Sequence, residues 1–317
     1  MSARDALLAA IVADPLEETR WLVLADWLEE FDDPRRAELL RLHRKLIATC
    51  CEPDAHPERA AWQSRMVELL VAGVHPCVPQ ETLTLPGGVP MTFSFIPPGA
   101  FLMGSEKGYD DGERPVHRVE VPRGFFMGIY PVTQAQWWAV MRTDPSHFKG
   151  LKRPVEKVSS DEAQQFCKEL SKLAARRVEL PIEAEWEYAC RAGTTTHYHF
   201  SDTLNTDLAN YDGDYSWNYS PKGANRQQTT PVESFPANAW GLSDMHGNVR
   251  EWCSDWLTMY LDNDLRRSVA EGLYELRVVR GGCWFSVPDG CRSAARDGDL
   301  PTSRTEFIGF RVCLRLS

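Results

Sequence analysis

Leucine and alanine recur at helical spacing through the first 75 residues and lose that spacing afterwards. Leu7, Leu8, Ile11 and Val12 form one apolar stripe, Asp14-Pro15 interrupts it, and Trp21, Leu24, Ala25 and Leu28 form the next. Asp32-Asp33-Pro34 stops that second helix and starts a third, which carries Ala37, Leu39, Leu40 and Leu42. The pattern predicts a small all-α domain over residues 1–75, with Trp27 as a core anchor and Asp26 as a cap. A Pro- and Gly-bearing passage, 76–89, reads as a linker.

From residue 90 to 317 the chain turns aromatic and loop-rich. Phe93 to Gly104 reads as strand, turn and strand, Pro115 to Val121 alternates as a strand does, and Phe125 to Val132 continues the sheet. Thr133 caps a short helix holding Trp137, Trp138 and Met141. Ser159 and Glu162 form a capping box for a helix over 161–175, with Ala163, Phe166, Leu170 and Leu173 on its apolar stripe. Another helix follows Leu180-Pro181 and stops at Gly193. Residues 194–240 are polar with little periodicity, and a loop of that length in a compact domain needs a bound ion or dense hydrogen bonding to fix it.

The formal net charge of −10 is spread along the chain. It offers no clustered basic face of the kind nucleic acid requires. No apolar run approaches the roughly 18 residues of a membrane span, and the N-terminus lacks an apolar signal segment. A soluble cytoplasmic protein is expected, with neither nucleic acid nor membrane as partner. Nine cysteines, an odd number without a paired framework, fit reduced thiols. His197 and His199 are the one close histidine pair. On a strand both would face one side and suit a metal; without a third ligand nearby, the pattern favours a solvent-exposed loop pair.

The most concentrated polar stretch is Gly241 to Trp252. Asp244 and Glu251 supply hard oxygen ligands, and the Gly247-Asn248 turn between them would aim carbonyls inward, as calcium sites do. A surface turn with two solvated acids is the competing reading, and spacing alone leaves both open.

Several motifs occur in a familiar order: Phe101-Leu102-Met103-Gly104-Ser105, Pro131-Val132-Thr133, Leu180 to Ala189, Gly241 to Trp252, Arg280-Gly281-Gly282-Cys283-Trp284, Arg292 to Arg296 and Gly309-Phe310-Arg311-Val312. Together they resemble the sulfatase-modifying-factor family of formylglycine-generating enzymes. The run from Ala25 to Leu39 resembles the short repeat-companion helical domain of multidomain bacterial proteins, to which no chemistry is attached. The main resemblance implies an α+β, C-type lectin-like fold with little regular secondary structure and with structural calcium. It places side-chain calcium ligands at Asp244 and Glu251, carbonyl ligands at Gly247 and Val249, and the start of a second site at Asn210 and Tyr211. The distal half of that second site is not legible, because Ala224-Asn225-Arg226 stands where an Asp is wanted.

The resemblance also marks a departure. The family's copper oxidases resemble Arg-Gly-Gly-Ser-x-x-Cys-x-x-x-x-Cys, whose two thiolates suit Cu(I). Here the count puts Ser286 at the first cysteine position and Cys291 at the second. An alignment anchored on Arg292 to Arg296 moves Cys291 off the copper position. Cys283 is the substitute partner for Cys291, or else a small buried residue on a strand. The widely spaced His43, His56 and His75 do not supply the His-rich motif of the family's iron enzymes. Asp255, Trp256, Arg296 and Arg311 are expected at the rim of the core, in salt bridges, with Arg296 as a pocket residue in the alternative.

Three readings follow. The first is a calcium-stabilised module whose C-terminal face binds an unidentified protein or peptide through Trp284, Ser286, Asp289, Arg296, Asp297, Asp299 and Arg304; some members of this fold vary that segment. The second is a copper- and O2-dependent oxidase that converts a peptide cysteine to formylglycine at Cys283 and Cys291. The third is another metal-dependent oxidase.

Overall fold

The computed structural model describes residues 2–106, 111–258 and 275–316. Its N-terminal part is α1 (Ala3–Ala13), α2 (Glu18–Phe31), α3 (Pro34–Ala48) and α4 (Arg59–Val71). Ser2 and Asp5 form a capping box on α1, and Asp33 caps α3 with Pro34 in the first turn, where its missing N–H costs nothing. Trp21, not Trp27, is the anchor: it is fully buried and its Nε1 donates to Pro15 O at 3.0 Å, whereas Trp27 is half-buried. Asp26 is no cap. It lies in mid-helix, exposed, and pairs with Arg41 at 2.7 Å. No apolar stripe announces α4, because Arg59 and Gln63 are buried on the same helix as Met66, Leu69 and Leu70.

The second part opens inside the stretch expected to be a linker, with the hairpin β1 (Gln80–Leu85) and β2 (Val89–Ile96). There follow β3 (Gly99–Met103), β4 (His117–Val121), β5 (Phe125–Gly128), α5 (Gln134–Met141), α6 (Ser160–Ala174), β6 (Val178–Glu179), α7 (Glu183–Arg191), β7 (Arg250–Trp256), β8 (Arg277–Arg280), β9 (Arg296–Asp299), β10 (Ile308–Gly309) and β11 (Cys313–Arg315). The predicted capping boxes on α5 and α6 are present. Leu173 is 53% exposed, and Cys167 takes its place on the buried face of α6. One sheet has the order β1-β2-β5-β11-β6, so the last strand inserts between β5 and β6. A second has the order β10-β7-β8-β9, and β3 pairs with β4. No helix among the described residues is long and apolar enough to cross a membrane.

Among the described residues, 194–240 contain no helix or strand. Hydrogen bonds hold that stretch: Leu204 N to Ser220 Oγ at 2.9 Å, Asp212 N to Ser286 O at 2.9 Å, and Asn238 Nδ2 to Ala189 O at 2.8 Å.

Helices and sheets share one apolar core, continuous from Ile11 and Trp21 through Trp186 and Trp240 to Phe310. Across the seam, His43 meets the Trp240 ring edge-on at 4.3 Å, and the Cys50 thiol donates to Ala100 O at 2.9 Å. Burial, reinforced by the charge of Arg44, pushes His43 down to about 3 from an ordinary 6.5. Because the folded value lies below the unfolded one, this histidine's contribution is intact above about pH 6.5. It is lost as pH falls toward 3, at about 1.4 kcal/mol per pH unit. Urea unfolding from pH 7 to 4 is expected to show a slope of this sign, to which the buried His199 and His246 also contribute, and His43→Phe to reduce it; equal slopes in both proteins would refute the assignment.

Candidate functional site: an oxygen-lined loop beside buried thiols and an aromatic face

The loop 241–252 is built on left-handed backbone at Gly241, Asp244, Gly247 and Asn248. Gly247 is obligatory, because a Cβ there would stand 2.2 Å from Asn210 O. Asn248, fully buried, is the hub. Its Oδ1 accepts from Thr230 N at 2.8 Å and Asn210 Nδ2 at 3.3 Å, and its Nδ2 donates to Asp244 Oδ1 at 3.3 Å. Two oxygens around it, Asp244 Oδ2 and Asn210 Oδ1, are buried without a hydrogen-bond partner. Burial pushes the Asp244 carboxyl up to about 7, against the pull of Arg311. Each is an oxygen donor of the type a hard cation takes.

Glu251 is placed differently. Arg311 grips it with Nε to Oε2 at 2.6 Å and Nη2 to Oε1 at 2.8 Å, and Trp186 Nε1 donates to Oε2 at 2.8 Å. Both residues are fully buried, so this is a core ion pair and not a rim contact. At the expected second site, Tyr211 is a buried core residue whose hydroxyl donates to Leu204 O. The Asn225 amide spans two carboxylates, donating to Asp212 Oδ1 and Asp214 Oδ2 at 2.8 Å each. The acids of this segment therefore precede the position where one was sought.

Cys283 and Cys291 are both buried. Gly282, in the left-handed region, lets them share this space: a Cβ on it would stand 2.6 Å from Cys291 Sγ. Burial raises the Cys291 thiol, and the neighbouring Cys283 raises it further. Ser286 Oγ accepts from Cys283 N at 3.0 Å and lies 3.3 Å from its sulfur. Burial therefore works against the Cys291 thiolate, the form that Cu(I) takes.

Histidines meet here in a pairing that sequence spacing conceals. His246 Nδ1 donates to Cys291 O at 2.7 Å, which leaves its Nε2 to accept from His199 Nδ1 at 2.8 Å and His199 N at 3.1 Å. Burial pushes His246 down to about 4 and His199 well below its usual range, so both rings are neutral. His199 is thus not an exposed loop residue, and the ring of its expected partner His197 rests on Trp217.

Beside the thiols lies an aromatic face. The Trp284 ring stands 5.5 Å from Phe285, 5.3 Å from Phe307 and 5.4 Å from Phe148, and Phe285 stands 5.6 Å from Phe307. Trp284 is fixed by Nε1 donating to Glu306 O, and the turn carrying Phe148 by its N–H donating to Glu156 Oε1 at 2.8 Å. Phe285 is 60% exposed.

Residues 85–316 match the sulfatase-modifying factor enzyme 1-like domain. The chain belongs to this family. It is 32% identical over 250 residues to the serine/threonine-protein kinase pkn1 of Chlamydia caviae, covering 68% of this chain but only 37% of that protein. It is 28% identical to the formylglycine-generating enzyme of Mus musculus, over 68% of this chain and 73% of the enzyme. Among solved structures, Treponema denticola variable protein 1 superposes with a TM-score of 0.62 at 26% identity, over 75% of this chain and 99% of that one. The α+β, C-type lectin-like architecture expected of the family is the one observed.

Within the sulfatase-modifying-factor domain, the residues expected on the binding face divide. Ser286 and Arg296 are interior: Arg296 is buried and donates to both oxygens of Glu183, at 2.6 and 2.8 Å, and to Gly112 O. Asp289 pairs with Arg292, Asp297 with Arg250 and Arg304 with Glu162, while Asp299 accepts from Ser303 Oγ. Asp255 caps the start of α7 through Glu183 N, and Trp256 lies under Arg277. Trp284 alone of the expected set belongs to the aromatic face. Phe285 directly follows it and Phe307 ends the same C-terminal segment, whereas Phe148 comes from a distant turn.

Proposed function

We propose that this chain is a ligand-binding member of the family, whose exposed aromatic face around Phe285 takes a protein or peptide partner. The observation that carries the reading is the burial of Cys283 and Cys291 around a serine at the first copper position. An exposed phenylalanine, Phe285, backed by the packed rings of Trp284, Phe307 and Phe148, suits partner binding, and a variable protein at 26% identity supports a recognition role for this fold. The family relationship to formylglycine-generating enzymes favours the second reading, a copper- and O2-dependent oxidase acting on a peptide cysteine. Calcium is proposed as a structural ion held by Asp244 with the Gly247 and Val249 carbonyls, and Asn210 extends the oxygen set. Nine free cysteines favour a reducing, cytoplasmic setting.

Anaerobic titration with Cu(I) tests the reading, using Cys283→Ala and Cys291→Ala as controls. No stoichiometric uptake is expected, and no aldehyde on a Cys-x-Pro-x-Arg peptide under O2. Tight one-to-one copper binding that either alanine abolishes would establish the oxidase instead.

A further inference from the structure

The seam between the N-terminal helices and the sulfatase-modifying-factor domain carries a pair of thiols outside the site described above. Eight of the nine cysteines are buried, and Cys51 alone is half-buried. It follows Cys50 in the turn after α3, where no helix fixes the backbone, and the two sulfurs stand 4.0 Å apart. Two guanidiniums act on the pair. Arg118 of β4 bonds Glu120 at 2.7 Å and also hydrogen-bonds the Cys51 sulfur, while the charge of the buried Arg59 is felt by both thiols. A partly exposed sulfur in positive surroundings is the kind that reacts. Cys50 has the opposite character. Burial, and then the neighbouring Cys51, push its thiol up to about 12, so it stays protonated and donates across the seam to Ala100 O at 2.9 Å.

We infer that Cys50 and Cys51 form a reversible oxidation site, at which a low-molecular-weight disulfide closes the two sulfurs into a vicinal disulfide and loosens the seam. The exposed side of Cys51 is where the reaction starts. Its thiolate attacks one sulfur of the disulfide RSSR, forming a mixed disulfide and releasing RS⁻. The Cys50 thiol then gives its proton to a released thiolate and attacks Cys51 Sγ, expelling the second RS⁻. Two protons and two electrons pass in all from the pair to RSSR, which leaves as two RSH. Closure draws the sulfurs from 4.0 Å to about 2.0 Å. It also removes the hydrogen that Cys50 donates to Ala100, so the end of α3 loses its bond to β3. Adjacent Cα atoms are about 3.8 Å apart, closer than the roughly 4.4–6.8 Å usual across a disulfide. The ring is therefore strained, and strained disulfides are the readily reduced ones. The other seven thiols are buried, out of reach of such an oxidant in the folded chain.

The test holds the full, folded chain in buffers of glutathione and glutathione disulfide at rising ratio, quenches with acid, alkylates the free thiols and weighs the peptide that carries both residues. Loss of two hydrogens from that peptide is expected, with two of the nine thiols gone and seven still alkylated. Cys50→Ser is expected to trap glutathione on Cys51, and Cys51→Ser to prevent both products. The ring-closed protein is expected to melt below the reduced one, a thiol reductant to restore its Tm, and Cys51→Ser to melt alike in every buffer. An unoxidised peptide at the highest ratio would overturn the inference, as would a wild-type chain that keeps glutathione on Cys51 beside a free Cys50. So would a ring-closed protein with an unchanged Tm. Weighing individual peptides separates this pair from Cys283 and Cys291, so the outcome is independent of copper uptake and of the Phe285 face.

Discussion

Glu251→Ala is expected to lower the stability of this protein by about 3–5 kcal/mol. The magnitude comes from what is left behind. Glu251 and Arg311 are fully buried and doubly hydrogen-bonded. Removing the carboxylate strands a guanidinium whose remaining partners are the Gly128 and Ser243 carbonyls and, weakly, that of Asp244. Trp186 Nε1 loses its acceptor as well. Urea unfolding reads the loss as a fall in midpoint at unchanged m-value. The double variant Glu251→Leu/Arg311→Met, which removes both charges and fills the volume, is expected to regain most of it. A single-variant loss below about 1 kcal/mol would contradict the role of this pair. Treatment with a chelator distinguishes the roles of the two acids of the loop. If Asp244 Oδ2 faces a cation, chelator lowers the wild-type Tm, and Asp244→Asn removes that response. Glu251→Ala would then lower Tm with or without chelator. A chelator-insensitive wild-type Tm would rule calcium out as a structural ion.

The parts of the fold legible in the sequence are those written in local chemistry. Thr133 with Gln136 and Ser159 with Glu162 announce their helices three residues at a time. The glycine-rich loop 241–252 is legible because left-handed backbone needs residues such as Gly and Asn. What stayed hidden is held by contacts far apart in the chain. His199 meets His246 across 47 positions, and Phe148 meets Trp284 from a turn before α6. The helix α4 escaped because its buried face carries Arg59 and Gln63, whose partners are distant in the chain: Leu46, Thr49 and Gly193 for Arg59, and Thr196 for Gln63. Ser286 and Arg296 look like surface residues by type, and are interior because Cys283 and Glu183 satisfy them.

The same seam packs the N-terminal helices into the apolar core of the rest of the chain. A chain reduced to residues 76–317 would expose Trp240, fully buried against His43, and Gly193, which Ile47 covers closely. Val67 of α4 packs on the smaller core of Tyr198, Phe200 and Tyr211 and would also be lost. Burial of a large side chain is worth roughly 1.5–3 kcal/mol, so uncovering several consumes much of the roughly 5–15 kcal/mol by which a typical domain is stable. The 76–317 fragment is therefore expected to bind a hydrophobic dye and to unfold without a sharp transition. Separately produced residues 1–75 added in trans are expected to restore part of its cooperativity. If the fragment unfolds at the Tm of the full chain, with the same sharpness, the two parts are independent and the shared core contributes nothing to stability. Loss of the transition would place the helices inside the cooperative unit, so that a change made in the seam acts on the lectin-like part as a whole.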